Sequence, residues 1–140
     1  MSSVTETNRA IITGVMEALS RGDRQPFGDA MADDFTWRMI GTTPWSGTFV
    51  GKAEVRERVV RPLFAQFATQ YTNTASRILA DGDFVVVECK GDVITTSGKP
   101  YCNTYCYVIR MRDGKMVELT EYFDTELVST VLEPPPWAAA

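Results

Sequence analysis

Histidine is absent from the 140-residue chain. That absence removes Ser-His-Asp and Cys-His nucleophile systems, imidazole acid-base chemistry and every metal site that needs an imidazole ligand. Proton transfer, if the protein performs it, falls to carboxylates, Lys, Tyr, Cys or backbone groups. Cysteine is scarce. Cys89, Cys102 and Cys106 are odd in number, lack CxxC spacing and sit in strand-like apolar segments, the pattern of reduced core thiols expected in the cytoplasm rather than of a disulfide framework. No apolar run approaches the ~18 residues of a membrane span, and Glu6 and Arg9 precede a periodic apolar pattern, so no membrane partner is expected. Positive charge is in deficit, 14 Lys and Arg against 18 Asp and Glu, which gives nucleic acid no attractive field. There is no Gly-rich phosphate loop and no metal-ligand cluster, so neither a cofactor nor a metal is expected.

What is present reads as one globular domain over residues 1–140, with a proline-rich tail at 133–140. Size scaling lets a chain of this length bury about two thirds of its extended surface, enough for a core and a cavity within it. From Asn8 to Arg21, Ile11, Ile12, Val15, Met16 and Leu19 recur at helical spacing, and Gly22 stops the pattern. Gln25 to Ala32, with Pro26 in its first turn, predicts a second, shorter helix, after which Phe35 to Ile40 turns extended. Gly41 to Gly47 is a loop around Trp45, and Lys52 to Phe67 predicts a third helix kinked at Pro62.

The second half changes period. Tyr71 to Leu79, Phe84 to Ile94, Tyr101 to Met111 and Met116 to Phe123 are rich in Val, Ile, Thr, Tyr and Cys, and the dipeptides Asp81-Gly82, Ser97-Gly98 and Asp113-Gly114 separate them. Four strands in an antiparallel meander follow. Asp124 and Thr125 cap a short helix through Leu132, which Pro134 to Pro136 end. The fold class is α+β, with N-terminal helices on the concave face of a strongly curved, mainly antiparallel sheet.

This layout and the string RDGKMVELTEYFDTEL from Arg112 to Leu127 resemble the NTF2-like superfamily and, within it, SnoaL-like and ketosteroid-isomerase-like proteins. The resemblance spans essentially the whole chain. Its specific pieces are Gly22-Asp23, Asp33-Asp34-Phe35, the loop IGTTPWSGTFVG from Ile40 to Gly51, and Glu121-Tyr122-Phe123-Asp124. The scaffold hosts isomerases, polyketide cyclases, epoxide hydrolases and non-catalytic binding modules, so the fold alone assigns no activity. In ketosteroid isomerases the general base would fall on Arg38, the helix Tyr on Val15, and the protonated Asp on Cys106 or Tyr105. Arg38 accepts no proton at neutral pH and Val15 donates none, so that set is absent. In limonene-epoxide-hydrolase-like enzymes the paired strand residues would fall on Glu88 and Lys90 with their order exchanged. Their water-positioning groups would fall on Trp37 and Met39, and their last-strand carboxylate on Glu121. SnoaL-like polyketide cyclases place their acid-base carboxylate at this same position. Glu121 is thus the catalytic position on which two families agree.

Alternation on strands puts Glu88, Lys90 and Asp92 on one face, Asn103, Tyr105 and Tyr107 on another, and Leu119, Glu121 and Phe123 on a third. The expected site converges the three. Glu121 is the general base, oriented by Asn103 or Tyr105 and balanced by Glu88 and Lys90, in a cavity lined by Trp37, Met39, Tyr105 and Phe123 that takes a hydrophobic small molecule. Arg38 either binds a substrate oxygen or forms an edge salt bridge. Arg56, Arg58 and Arg61 read as a solvated helical face paired with Glu54 and Glu57. Trp45 and Trp137 either close the pocket mouth or pack at a subunit contact. Relatives of this type commonly pair as homodimers through the outer sheet face, where the three cysteines would add apolar surface. The competing reading is a binding or scaffold protein without chemistry. An enclosed pocket with Glu121 unpaired favours the enzyme, and a collapsed one filled by Tyr105 and Trp37 favours the scaffold.

Overall fold

A computed structural model describes residues 3–138 of the chain. Helix α1 (Val4–Ser20) begins earlier than periodicity predicts, because Ser3 caps it by accepting from the Glu6 amide at 3.1 Å. Its apolar stripe, Ile12, Val15, Met16 and Leu19, is buried against the sheet. Helix α2 (Gln25–Asp29) is shorter than expected, since the chain is already extended in strand β1 (Met31–Met39). Strand β2 (Gly47–Val50) lies where only a loop was expected, pairing antiparallel with β1. Three residues between two glycines carry too little pattern to announce a strand.

Lys52 to Phe64 is helical in three pieces, α3 (Lys52–Val55), a π-helical turn (Arg56–Val60) and α4 (Arg61–Phe64). The cause is Pro62, which has no N–H to donate to the Arg58 carbonyl and whose ring would crowd it, so the helix widens by one residue. The orphaned Arg58 carbonyl accepts instead from Trp137 Nε1 at 2.7 Å.

Strands β3 (Thr72–Asp81), β4 (Phe84–Asp92), β5 (Thr104–Arg112) and β6 (Lys115–Phe123) form the expected meander. The six-stranded sheet runs β2-β1-β6-β5-β4-β3, all antiparallel except β1 with β6. Asp113 and Gly114, with φ of 50° and 77°, make the tight β5–β6 turn, a backbone shape that the Asp-Gly pair adopts at low cost. Bulges at Ser76 in β3 and Val117 in β6 add twist, curving the sheet around α1. The β4–β5 connection is longer than a hairpin, with the Ser97-Gly98 turn out in a loop pinned by Thr95 and Lys99. Helix α5 (Thr125–Val131) is capped by Asp124, which accepts from the Leu127 amide.

The tail is ordered by packing rather than by proline stiffness alone. The Glu133 carbonyl accepts from Trp45 Nε1 and Gln66 Nε2, both at 2.9 Å, and the chain turns at Pro136 to lay Trp137 edge-on to Phe49. Ala139 and Ala140 lie outside the described residues. Trp137→Ala is expected to cost ~2 kcal/mol in chemical unfolding, from lost ring burial and an orphaned carbonyl. Trp137→Phe keeps an aromatic ring but has no N–H to donate and should cost about half of that, and no loss for Trp137→Phe would refute the hydrogen-bond share.

Candidate functional site

The concave face of the sheet and the inner sides of α2, the 52–64 helix and α5 enclose a cavity of about 290 Å³. Its floor is set by strand register. Glu121 on β6 lies between Met39 of β1 and Tyr107 of β5, and one step along, Phe123 faces Tyr105, which in turn faces Cys89 of β4. All point toward the helices. Trp37, Met39, Tyr105 and Phe123 line the cavity with Glu121, as strand alternation had suggested.

Glu121 is 7% exposed, and its carboxyl has no hydrogen-bond or ion-pair partner among the described residues. Burial, with nothing to offset it, pushes its pKa up from 4.5 to about 8. At pH 7 the group is mostly protonated and able both to give and to take a proton. Around it stands a wall of phenols. Asn73 Nδ2 donates to the Tyr71 hydroxyl at 3.2 Å and the Tyr107 hydroxyl at 3.1 Å, while its Oδ1 is buried without a partner. Tyr101 and Tyr105 complete the wall. Burial raises Tyr71, Tyr105 and Tyr107 well above the usual phenol value, and Tyr101 to about 12, so all four stay neutral donors. Gly91 makes the wall possible, since a Cβ there would meet the Tyr71 hydroxyl at 3.0 Å.

Four expected members lie elsewhere. Glu88 and Lys90 are exposed on the outer face, where Glu88 pairs with Arg77 at 3.1 Å, so neither approaches Glu121. The register Cys89↔Tyr105 decides this by turning Cys89 inward and its neighbours outward. Buried Cys89, its thiol raised to about 12, therefore adds nothing to the outer apolar surface, unlike half-exposed Cys106. Arg38 also faces outward, in a 2.7 Å ion pair with Glu118. Asn103 is fully buried behind the wall rather than beside Glu121. It donates to the Tyr101 hydroxyl and the Asp124 carbonyl, both at 3.1 Å, and accepts from the Asp124 amide at 2.9 Å.

Tyr71, Asn73 and Tyr101 were not singled out from the sequence, although for Tyr101 a signal existed. Tyr101, Asn103, Tyr105 and Tyr107 recur at every second residue, which on one strand face means a continuous polar-aromatic ridge. Trp45, clamped by the tail, and Trp37, whose buried Nε1 has no partner, close the opposite side. Among the described residues no group of three or more acids or cysteines is placed to hold a metal ion.

A family model described as a SnoaL-like domain matches residues 12–119. None of the curated proteins matches the chain. Among solved structures, an NTF2-like protein of unknown function from Burkholderia pseudomallei is similar at TM-score 0.76 and 23% identity, over 95% of this chain and 100% of its own. A putative SnoaL-like polyketide cyclase from Jannaschia sp. CCS1 gives 0.75 at 16% identity, over 97% and 98%. An LEH-like epoxide hydrolase from M. tuberculosis gives 0.68 at 20%, over 87% and 86%. At these identities the structures establish the shared fold.

Proposed function

The chain belongs to the SnoaL-like family of the NTF2-like superfamily, and we propose that within it the protein is a cofactor-independent enzyme whose Glu121 moves a proton on a hydrophobic small molecule, in an isomerisation, cyclisation or ring opening. The observation that carries this reading is a buried, unpaired carboxyl facing an open cavity across from neutral tyrosine hydroxyls. A purely structural acid at this depth would be expected to have a partner, because an unpaired buried carboxyl costs stability. The cavity is not collapsed onto Tyr105 and Trp37, the arrangement that a non-catalytic scaffold would favour.

The division of labour follows from charge. The phenols remain protonated, so they suit an oxygen on which negative charge develops, such as an enolate. Abstracting the proton then falls to Glu121 in its ionised form. A base with a pKa near 8 is strong enough to matter and still partly ionised at neutral pH. Glu121→Gln preserves size but accepts no proton, and is expected to lower turnover by at least ~10²-fold. In the parent, kcat/KM should climb with pH and level off above about 8. Full turnover by Glu121→Gln on an identified substrate, or a rate that falls across this range, would reject Glu121 as the base.

A further inference from the structure

Seven of the ten arginines are ion-paired with a carboxylate. Of the other three, Arg24 and Arg56 line the cavity together with Lys52, and none of these three cations has an ion pair among the described residues. Arg24 and Arg56 are exposed and Lys52 is half-buried, which places them where the cavity meets solvent. The arrangement is not local crowding. Glu54 and Glu57, the acids closest in sequence to Arg56, pair with Arg58 and Arg61 instead. Arg24 is held in place by the Phe64 ring, with its guanidinium carbon 3.7 Å from the centroid. The one acid of the mouth, Asp29, bonds the neutral Gln25 Nε2 at 2.8 Å and pairs with none of the three cations, so the mouth keeps a net positive charge.

A chain of net charge −4 thus keeps three unneutralised cations at the entrance of an apolar cavity, where low-dielectric walls focus their field. We propose that the ligand of this cavity is an acid, with an apolar ring body against Trp37, Met39 and Tyr105 and a carboxylate held at the mouth by Arg24, Lys52 and Arg56. Guanidinium groups match a carboxylate in geometry as well as charge, and the lysine adds a point charge. The floor offers no opposing charge at neutral pH, because Glu121 is protonated there. This inference rests on the cavity being the binding site described above and adds the class of substrate.

The test compares two probes of nearly the same shape, 2-naphthoate and 2-naphthamide, by isothermal titration calorimetry at pH 6.5 and low salt. The parent should bind the naphthoate ~10-fold more tightly or better, and added salt should narrow the gap. Arg24→Gln/Lys52→Gln/Arg56→Gln should bind the two probes within about twofold of each other, with naphthamide affinity unchanged. Arg61→Gln, on the same helix but paired with Glu57 away from the cavity, should leave both affinities as they are. Equal affinities in the parent, binding of neither probe, or a carboxylate preference that survives the triple substitution would overturn the proposal. Glu121→Gln separates the two readings. It should keep the carboxylate preference, so a variant with full turnover and that preference would strike the proton-transfer role alone.

Discussion

Glu121→Gln is expected to melt at a higher temperature than the parent at pH 8.5, although no contact is added. The folded-state pKa of Glu121 is raised from 4.5 to about 8, so the native state favours the protonated acid. Its contribution to stability is fully present below the unfolded value near 4.5, is lost as pH rises toward 8, and changes little beyond. At about 1.4 kcal/mol per pKa unit, the loss is on the order of 4 kcal/mol, a large share of the stability of a domain this size. The groups facing Glu121 do not titrate in that window, since burial raises Tyr71, Tyr101, Tyr105, Tyr107 and Cys89. Groups with lowered values act at the acid end, as with Asp34, which its hydrogen bond from Arg112 holds below the usual carboxylate range. Gln carries no charge to desolvate, so the variant should match the parent within about 1 kcal/mol at pH 5 and exceed it by ~10 °C at pH 8.5. Parallel curves for the two proteins between pH 5 and 8.5 would mean that Glu121 is not desolvated as described.

Asn103→Ala should be among the most damaging single substitutions near the site. Its amide satisfies the backbone amide and carbonyl of Asp124 and the hydroxyl of Tyr101 at once, and no other side chain bonds those two backbone atoms. Removing it orphans the Asp124 amide and takes a donor from the Tyr101 hydroxyl, while the Asp124 carbonyl keeps only the Val128 amide at 3.3 Å, so at about 1–3 kcal/mol per buried polar group a loss of ~2–4 kcal/mol is expected in urea unfolding. Thr104→Ala, one residue along and exposed, should stay within about 0.5 kcal/mol of the parent. A loss below about 1 kcal/mol for Asn103→Ala would show that water satisfies the junction. Because Asn103 braces Tyr101 and the β6–α5 corner rather than touching Glu121, the variant should also weaken ligand binding through the displaced wall.

Periodicity decided much of this protein in advance. Period two is a property of the strand itself, so Leu119, Glu121 and Phe123 share a face whatever surrounds them, and the apolar character of Leu119 and Phe123 turns that face inward. The same rule paired Trp37 with Met39, and Asp113-Gly114 announced its turn because few dipeptides accept two positive φ angles.

Alternation assigns residues to two faces without saying which face meets the helices, and β4 shows the consequence. Its sets Val87, Cys89, Gly91 and Glu88, Lys90, Asp92 are separable by sequence, yet only the pairing Cys89↔Tyr105 across a long β4–β5 connection turns the charged set to solvent. Arg38 leaves the site by the same logic, on the outward side of Trp37 and Met39. The cationic mouth needed tertiary structure for a different reason. Arg24 sits just before α2 and Arg56 in the 52–64 helix, whose register is altered by the π-helical turn before Pro62. Charge pairing within a helix is a local matter of three or four residues. Which cation is left to face a cavity depends on how distant elements pack, and that is set by burial over the whole core.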